Sequence, residues 1–423
     1  MNIKKAFFWT GLQTAIKVLS GIAINKVIAV YLGPSGLALI GQFQNSTGLL
    51  CSIANGSIQT GVVSNIAKSK NEREHLAVRS NAVLIMAVLS IVVSVILVIF
   101  HGYFSKVLFL SDGYSKHLFL LAFSMIFYSF NIYIISILNG LGRVKEYSFL
   151  NIFLNVIIAI CVVTLTIFNG ISGAILGFIT SQIGFFFLFL CFYKGAFNYQ
   201  FFKVSLVCVD RRQLISLFSY GLTSFLSGFI MAMMLMTVRF VVITHIDQSS
   251  AGYWEGLYKI GFYFHMLFAL PISIYYLPKF SSTGCANDIK KYILASFKFC
   301  ILGLLIIGAS IFIFRELIVN ILFSSEFGVI SDLIPIVLIS EAFRVMTSIF
   351  STFLYSKQAL KAIILNESVW AIIFVVLSYI FVQMFMLKGI LYAYFIACVI
   401  QFIIISYFSR FRITHLHGER LCS

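Results

Sequence analysis

The sequence predicts an all-α membrane protein with twelve transmembrane helices arranged as two six-helix bundles. Three observations predict it. Of its 423 residues, 61% are hydrophobic and only 10% charged, a balance outside the soluble range, and the mean hydropathy is +1.02. Twelve apolar stretches each reach the roughly 20 residues a helix needs to cross the hydrocarbon core. The basic residues gather in alternate loops between those stretches.

Lys4 and Lys5 precede the first stretch, Phe7–Tyr31. It is too long for a secretory leader, holds Lys17 and Lys26, and has no small-residue cleavage site before Leu32, so it reads as a retained helix. Gly36–Ile66 follows, with Pro34 at the intervening turn, and then Ser80–His101 and His117–Leu138. The short turn Gly140-Leu141-Gly142 separates the fourth span from Tyr147–Phe168, and Ile171–Phe192 closes the first half. The second half comprises Leu214–Ile243, Ala251–Leu277, Tyr292–Phe314, Leu333–Tyr355, Ala362–Phe385 and Gly389–Phe408. Pro278 and Pro335 mark span ends, and Pro271 is placed to kink the eighth helix.

Of the 30 Lys and Arg residues, 20 fall in loops on the N-terminal side or at the termini. Four, Lys106, Lys116, Arg315 and Lys388, fall in the opposite loops. This asymmetry places both termini in the cytoplasm and demands an even span count. It also accounts for the net charge of +16 without nucleic acid as a partner.

The boundaries follow: residues 1–193 as one bundle, 194–213 as a cytoplasmic linker, 214–409 as the second bundle and 410–423 as a cytoplasmic tail. The halves resemble each other at a nearly constant offset. Phe100-His101 and Phe314-Arg315 are 214 apart, Gly36 and Gly252 are 216 apart, and so are Lys145 and Lys361. Lys26 and Arg239 are 213 apart. Six helices is an even number, so both halves insert the same way up, as a parallel repeat with a cargo path between them.

Eight charges lie inside these spans: Lys17, Lys26, Arg239, Glu255, Lys259, Glu341, Arg344 and Glu367. At a bilayer centre each costs roughly 2.5–3.5 kcal/mol on insertion scales, so they belong in a wet interior or with partners. Five are basic, which suits an anionic cargo. Lys17 lies about 15 Å deep at 1.5 Å per residue, too deep to snorkel with ease. Lys26 and Arg239 sit nearer the outer edge, where cavity and interface are both open to them. Lys17 and Lys26 are nine positions apart, on opposite faces of an ideal helix. Glu255 with Lys259, and Glu341 with Arg344, share helix faces and can neutralise themselves. Alternatively, cargo or a coupling cation competes for these partners. Glu367 lies near the inner edge, either solvated or coupling. His265 stands alone on an aromatic helix as a core histidine.

The second span is uncharged but polar. Gln42, Asn45, Ser52, Asn55 and Gln59 keep to one face of an uninterrupted helix, either as glue between helices or as a hydrogen-bonding wall for a sugar. The eight cysteines form no CxxC pair and no metal-ligand spacing. GxxxxGK[ST] is absent, so this chain is not expected to hydrolyse ATP.

Trp9-Thr10, Lys17, Lys26, the run Ala29-Val30-Tyr31-Leu32-Gly33-Pro34-Ser35-Gly36, Tyr276-Leu277-Pro278, and Leu322-Phe323-Ser324 with Phe327 together carry a resemblance. In order and spacing they resemble the Wzx-type lipid-linked oligosaccharide flippases (O-antigen translocases) of the multidrug/oligosaccharidyl-lipid/polysaccharide exporter superfamily. The likeness is greatest to the branch containing the lipid III flippase of enterobacterial common antigen. Glu341 and Arg344 match an acid and a base of that family, whereas Glu255 stands where the family pattern has an amide. The resemblance implies a V-shaped pair of bundles in the bacterial inner membrane, moving an undecaprenyl-diphosphate-linked glycan to the periplasmic leaflet by alternating access. It implies no cofactor or metal and leaves coupling to a proton or cation gradient open. It implies membrane lipid and the polymerase and chain-length machinery as partners. The diphosphate would meet the cationic residues and the sugars the polar face.

Three other functions compete. A multidrug cation antiporter calls for an acidic cavity, against five bases and three acids here. A polymerase or lipid-dependent glycosyltransferase needs large periplasmic loops, and the longest outer loops here are about fifteen residues. A lipid II flippase usually has fourteen spans.

Overall fold

The computed structural model describes residues 3–69, 71–109, 111–192, 211–283 and 285–419, and among them all regular structure is helical. The helices are α1 (Ile3–Ala54), α2 (Gln59–Lys68), α3 (Glu72–Phe109), α4 (Ser115–Gly140), α5 (Val144–Phe192), α6 (Arg211–His245), α7 (Gln248–Ser282), α8 (Ala286–Ile313), α9 (Arg315–Leu322), α10 (Ile334–Ser356) and α11 (Leu360–Glu419). Among the described residues, nine are long and apolar enough to cross a membrane: all but α2 and α9. Large apolar side chains such as Phe168, 81% exposed, stand on their outer surfaces, which suits lipid as the solvent.

Three of the nine are too long to be single spans. α1, α5 and α11 hold 52, 49 and 60 residues. Straight, they would run about 75–90 Å, roughly twice the thickness of a bilayer with its headgroups. Each breaks where the backbone enters positive φ: Gly33 (φ 66°), Gly170 (φ 58°, ψ −136°) and Met386 (φ 55°, ψ −133°). At the last two the chain folds back. The Phe153 and Phe185 rings of α5 lie 6.0 Å apart, where a straight helix would separate them by about 48 Å. Trp370 and Tyr394 of α11 meet at 6.4 Å instead of about 36 Å. These returns are tight enough to require glycine. A Cβ on Gly177 would sit 2.6 Å from Val162 Cα, and one on Gly389 would sit 2.1 Å from the Phe381 carbonyl oxygen.

One sequence expectation needs correction. The second span is not one helix to Ile66: α1 ends at Ala54, and residues 55–58 form a turn with Gly56 (φ 62°) and Ser57 (φ 50°). Asn55 supplies the reason, because its Oδ1 accepts from the Ser57 N–H at 2.7 Å and holds an Asx turn that competes with the helix. α7 runs helically past both Pro271 and Pro278 to Ser282.

The chain divides into two compact units, Met1–Leu32 with Leu39–Ala232, and Gly33–Ala38 with Met233–Ser423. The division falls inside α6. Of the linker expected at 194–213, residues 194–210 lie outside the described residues, and Arg211–Gln213 already belong to α6. In the first unit, Ile58, Val62 and Ile66 of the α2 region bury against Ile134 and Ile137 of α4, Phe185 of α5 and Leu217 of α6. Gly221 lets α6 approach the Gly56 carbonyl there. In the second unit Tyr276 and Phe280 of α7 pack on Ile289, Phe353, Ile363 and Ile405. Lys357 Nζ donates to the Phe280 and Thr283 carbonyls at 2.7 Å each, closing the C-terminus of α7.

Backbone irregularities recur between the halves. Phe100 (φ −108°, ψ 16°) kinks α3, and Phe314 (φ −96°, ψ 19°) separates α8 from α9. Gly142 (φ 67°) is matched by Gln358 (φ 55°), and Gly170 by Met386.

Candidate functional site

Five of the six span charges of the second unit, all but Glu367, form two clusters. The first is set by the α6–α7 turn. Asp247 caps α7, its carboxylate accepting from the Ser250 N–H at 2.6 Å, and the two helices diverge from it in antiparallel fashion. Arg239 and Glu255 stand eight residues before and after Asp247, so they face each other across the pair. The Arg239 guanidinium donates to Glu255 Oε2, and Lys259 Nζ lies 3.7 Å from Oε1. The Arg239 side chain is 1% exposed, so it neither snorkels nor stands open. Glu255 is thus held chiefly by a residue of another helix, rather than only by the Lys259 one turn away.

The second cluster surrounds Glu341 on α10, whose side chain is completely buried. Arg344, one turn on, donates to it at 3.2 Å. The Tyr394 hydroxyl of α11 donates to the same carboxylate and accepts from Arg344 at 2.8 Å. Tyr258 of α7 also hydrogen-bonds Arg344. The Arg344 guanidinium sits 5.0 Å from the Trp370 ring centroid, and Trp254 packs edge-on to Tyr394 at 5.5 Å, closing an aromatic box. Gly261 makes room, since a Cβ there would come within 3.0 Å of Glu341 Oε1. His265 is not alone: its Nδ1 lies 3.4 Å from Glu341 Oε2, with the side chain 18% exposed.

The remaining candidates are placed apart from these clusters. Lys17 is exposed on the first half of α1 and Lys26 is half-buried. Gln42, Asn45 and Ser52 remain on one half-buried face of α1. Asn55 is buried in the turn, and Gln59 opens α2, so the break removes both from that face. Glu367 is half-buried near Tyr355. Sequence reasoning missed Tyr258, Tyr394, Trp370 and Gly261. Nothing in the sequence distinguishes Tyr394 among 20 tyrosines, because its role depends on the fold-back at Met386.

In the first unit a group of uncharged side chains packs together. At positions 214 to 216 residues earlier than His265, Glu341, Arg344 and Tyr394 stand Cys51, Met125, Tyr128 and Phe178. Cys51 Sγ contacts Met125 Sδ at 3.7 Å and hydrogen-bonds Tyr128, while Phe178 packs on Phe43.

Comparison with known proteins agrees with this architecture. The family described as polysaccharide biosynthesis protein matches residues 45–332. The lipid III flippase of Escherichia coli (strain K12) is 21% identical over 372 residues, covering 87% of this chain and 88% of that protein. Among solved structures, a multidrug resistance MATE family transporter of the MOP superfamily in its inward-facing conformation superposes with a TM-score of 0.83. It is 16% identical, over 98% of this chain and 100% of that one. The lipid II flippase MurJ, inward closed, gives 0.69 at 17% identity, over 95% and 86%. The fold is that of the MOP-superfamily transporters.

Proposed function

The chain belongs to the polysaccharide biosynthesis protein family, and from that premise we propose that it is a flippase for an undecaprenyl-diphosphate-linked oligosaccharide. It carries an O-antigen-type repeat unit from the cytoplasmic to the periplasmic leaflet of the bacterial inner membrane by alternating access, and it catalyses no covalent step. The observation that carries this reading is the likeness to the lipid III flippase along 87% of the chain. The glycan of enterobacterial common antigen is the second reading, favoured by the same relative. A multidrug cation antiporter fits less well, because the buried clusters hold three bases to two acids.

The breaks at Gly33, Gly170 and Met386 turn nine long helices into twelve spans, and the recurrence of backbone irregularities at offsets of 214 to 216 supports a parallel repeat of two bundles joined through residues 194–213. With 20 inner and four outer Lys and Arg, both termini are cytoplasmic. A reporter fused at Gln358 should then be cytoplasmic and one at Gly113 periplasmic; the opposite pattern overturns the orientation.

Within this reading, Lys17 and Lys26 of the first unit meet the diphosphate. Arg239 and Arg344 hold carboxylates in place, and Gln42, Asn45 and Ser52 meet sugar hydroxyls. Glu341 belongs to the coupling machinery, and the polymerase and chain-length machinery take over the delivered glycan. The test is to delete the gene and identify the undecaprenyl-linked glycan that accumulates on the cytoplasmic face. One such glycan should accumulate and disappear on complementation. Unchanged lipid-linked pools would overturn the flippase reading.

A further inference from the structure

In the second cluster the group that holds and the group able to switch are different residues. Glu341 is completely buried, and its oxygens are occupied by Arg344 and the Tyr394 hydroxyl. Neutralising it by protonation would strip Arg344 of its counter-charge inside the helix bundle, a costly state. Arg344 keeps its proton at any physiological pH. His265 differs on both counts. It retains access at 18% side-chain exposure, and it is the side chain whose ordinary range lies near neutrality. Its Nδ1 lies 3.4 Å from Glu341 Oε2, within ion-pair reach and longer than a charge-assisted contact, so it can tighten when charge is added.

We infer that His265 is the proton-carrying site of the transport cycle, with Glu341 as its positioning residue. This deepens the flippase reading and rests on it. With Nδ1–H directed at Glu341, Nε2 takes the proton while the imidazole is wet, and the resulting imidazolium donates to Glu341 Oε2. The proton leaves by the same atom, so no co-reactant is needed. The cluster passes from net neutral to +1, and a transient second cation beside Glu341 loosens its hold on Arg344 and Tyr394.

The groups around His265 are few. From α10 come Glu341 and Arg344, and from α11 Tyr394 reaches it through Glu341. On α7 itself Tyr258 and Lys259 lie about two turns away. α8 packs on the same stretch of α7 through Gly303 against Phe268, an apolar contact. The first unit offers a control: Cys51 and Met125 fill the corresponding place with sulfur alone, so packing by itself does not call for an imidazole beside a carboxylate.

The experiment uses the whole chain, labelled with ¹⁵N-histidine in lipid nanodiscs. Of its seven histidines, the signal of His265 is identified by its loss in His265→Asn. We expect that signal to titrate between about pH 5 and 8 and, in Glu341→Gln, to move about one pH unit lower through loss of the anion. In cells, export by His265→Gln should lose the external-pH dependence of the wild type. A His265 signal that stays constant over this range, or an unchanged pH profile in His265→Gln, would overturn the proposal. If the wild type exports no glycan at any pH, the flippase reading fails, and the titration still decides the proton site. A variant that does not fold leaves the wild-type titration to decide alone.

Discussion

The two units share several backbone irregularities and differ in what fills one buried place. In the first, helices are brought together by small residues: Gly173 and Gly177 against the preceding span, Gly140 against Ile66, and Gly221 against Gly56. Its central contact is Cys51 on Met125. In the second, positions 214 to 216 residues further along carry His265, Glu341, Arg344 and Tyr394, and the unit also holds the triad Arg239–Glu255–Lys259. Desolvating these charges is expensive, and the first unit packs Cys51, Met125 and Tyr128 together without them. The difference supports the proposal that the charged cluster of the second unit serves transport.

The largest expected effect comes from breaking one charge alone. Glu341→Ala leaves Arg344 buried without its carboxylate and should cost about 3–5 kcal/mol, read as a collapse of thermal stability in detergent. Met125→Ala at the matching place in the first unit removes only packing and should cost about 2–5 kcal/mol with export scaled to the protein that remains. If Glu341→Ala proves as stable as the wild type, the cluster is not held as described.

Close helix approach gives the next effect. Gly177→Ala forces a methyl onto the Val162 backbone and should cost about 1–3 kcal/mol, whereas Gly184→Ala meets nothing within 4 Å and should be neutral. Equal melting temperatures for the two would refute the tight return in α5.

Exposed charge should affect function without affecting stability. Lys17→Ala should abolish export while shifting stability by less than about 0.5 kcal/mol, and Lys17→Arg should keep part of the activity, since charge survives with altered geometry. Wild-type export from Lys17→Ala would return this lysine to a structural role.

The smallest effect sharpens the repeat itself. Met386 holds a conformation that its counterpart Gly170 adopts freely. Met386→Gly should raise stability by about 1 kcal/mol and Gly170→Ala should lower it by a similar amount, measured by thermal unfolding.

Much of this was legible in the sequence because lipid imposes length and polarity rules on every span. Apolar runs marked the helices, and charges inside them marked the second-unit clusters. The pairs Glu255–Lys259 and Glu341–Arg344 could be read from spacing because they lie on single helices. What spacing cannot carry is contact between helices. Arg239 meets Glu255 only because Asp247 turns the chain, and Tyr394 meets Glu341 only because α11 folds back at Met386. The polar face of the second span was overextended for a local reason: the Asn55 side chain binds the Ser57 N–H and ends the helix before Gln59.

The most direct test of the contrast between the units is to give the second the chemistry of the first. Glu341→Met/Arg344→Tyr copies the residues found at Met125 and Tyr128 and removes both charges together. Export of the lipid-linked glycan is measured with the amount of membrane-inserted protein in parallel. We expect a protein that inserts at about the wild-type level and exports nothing. Full export by this double variant would contradict it and reduce the charged cluster to scaffold.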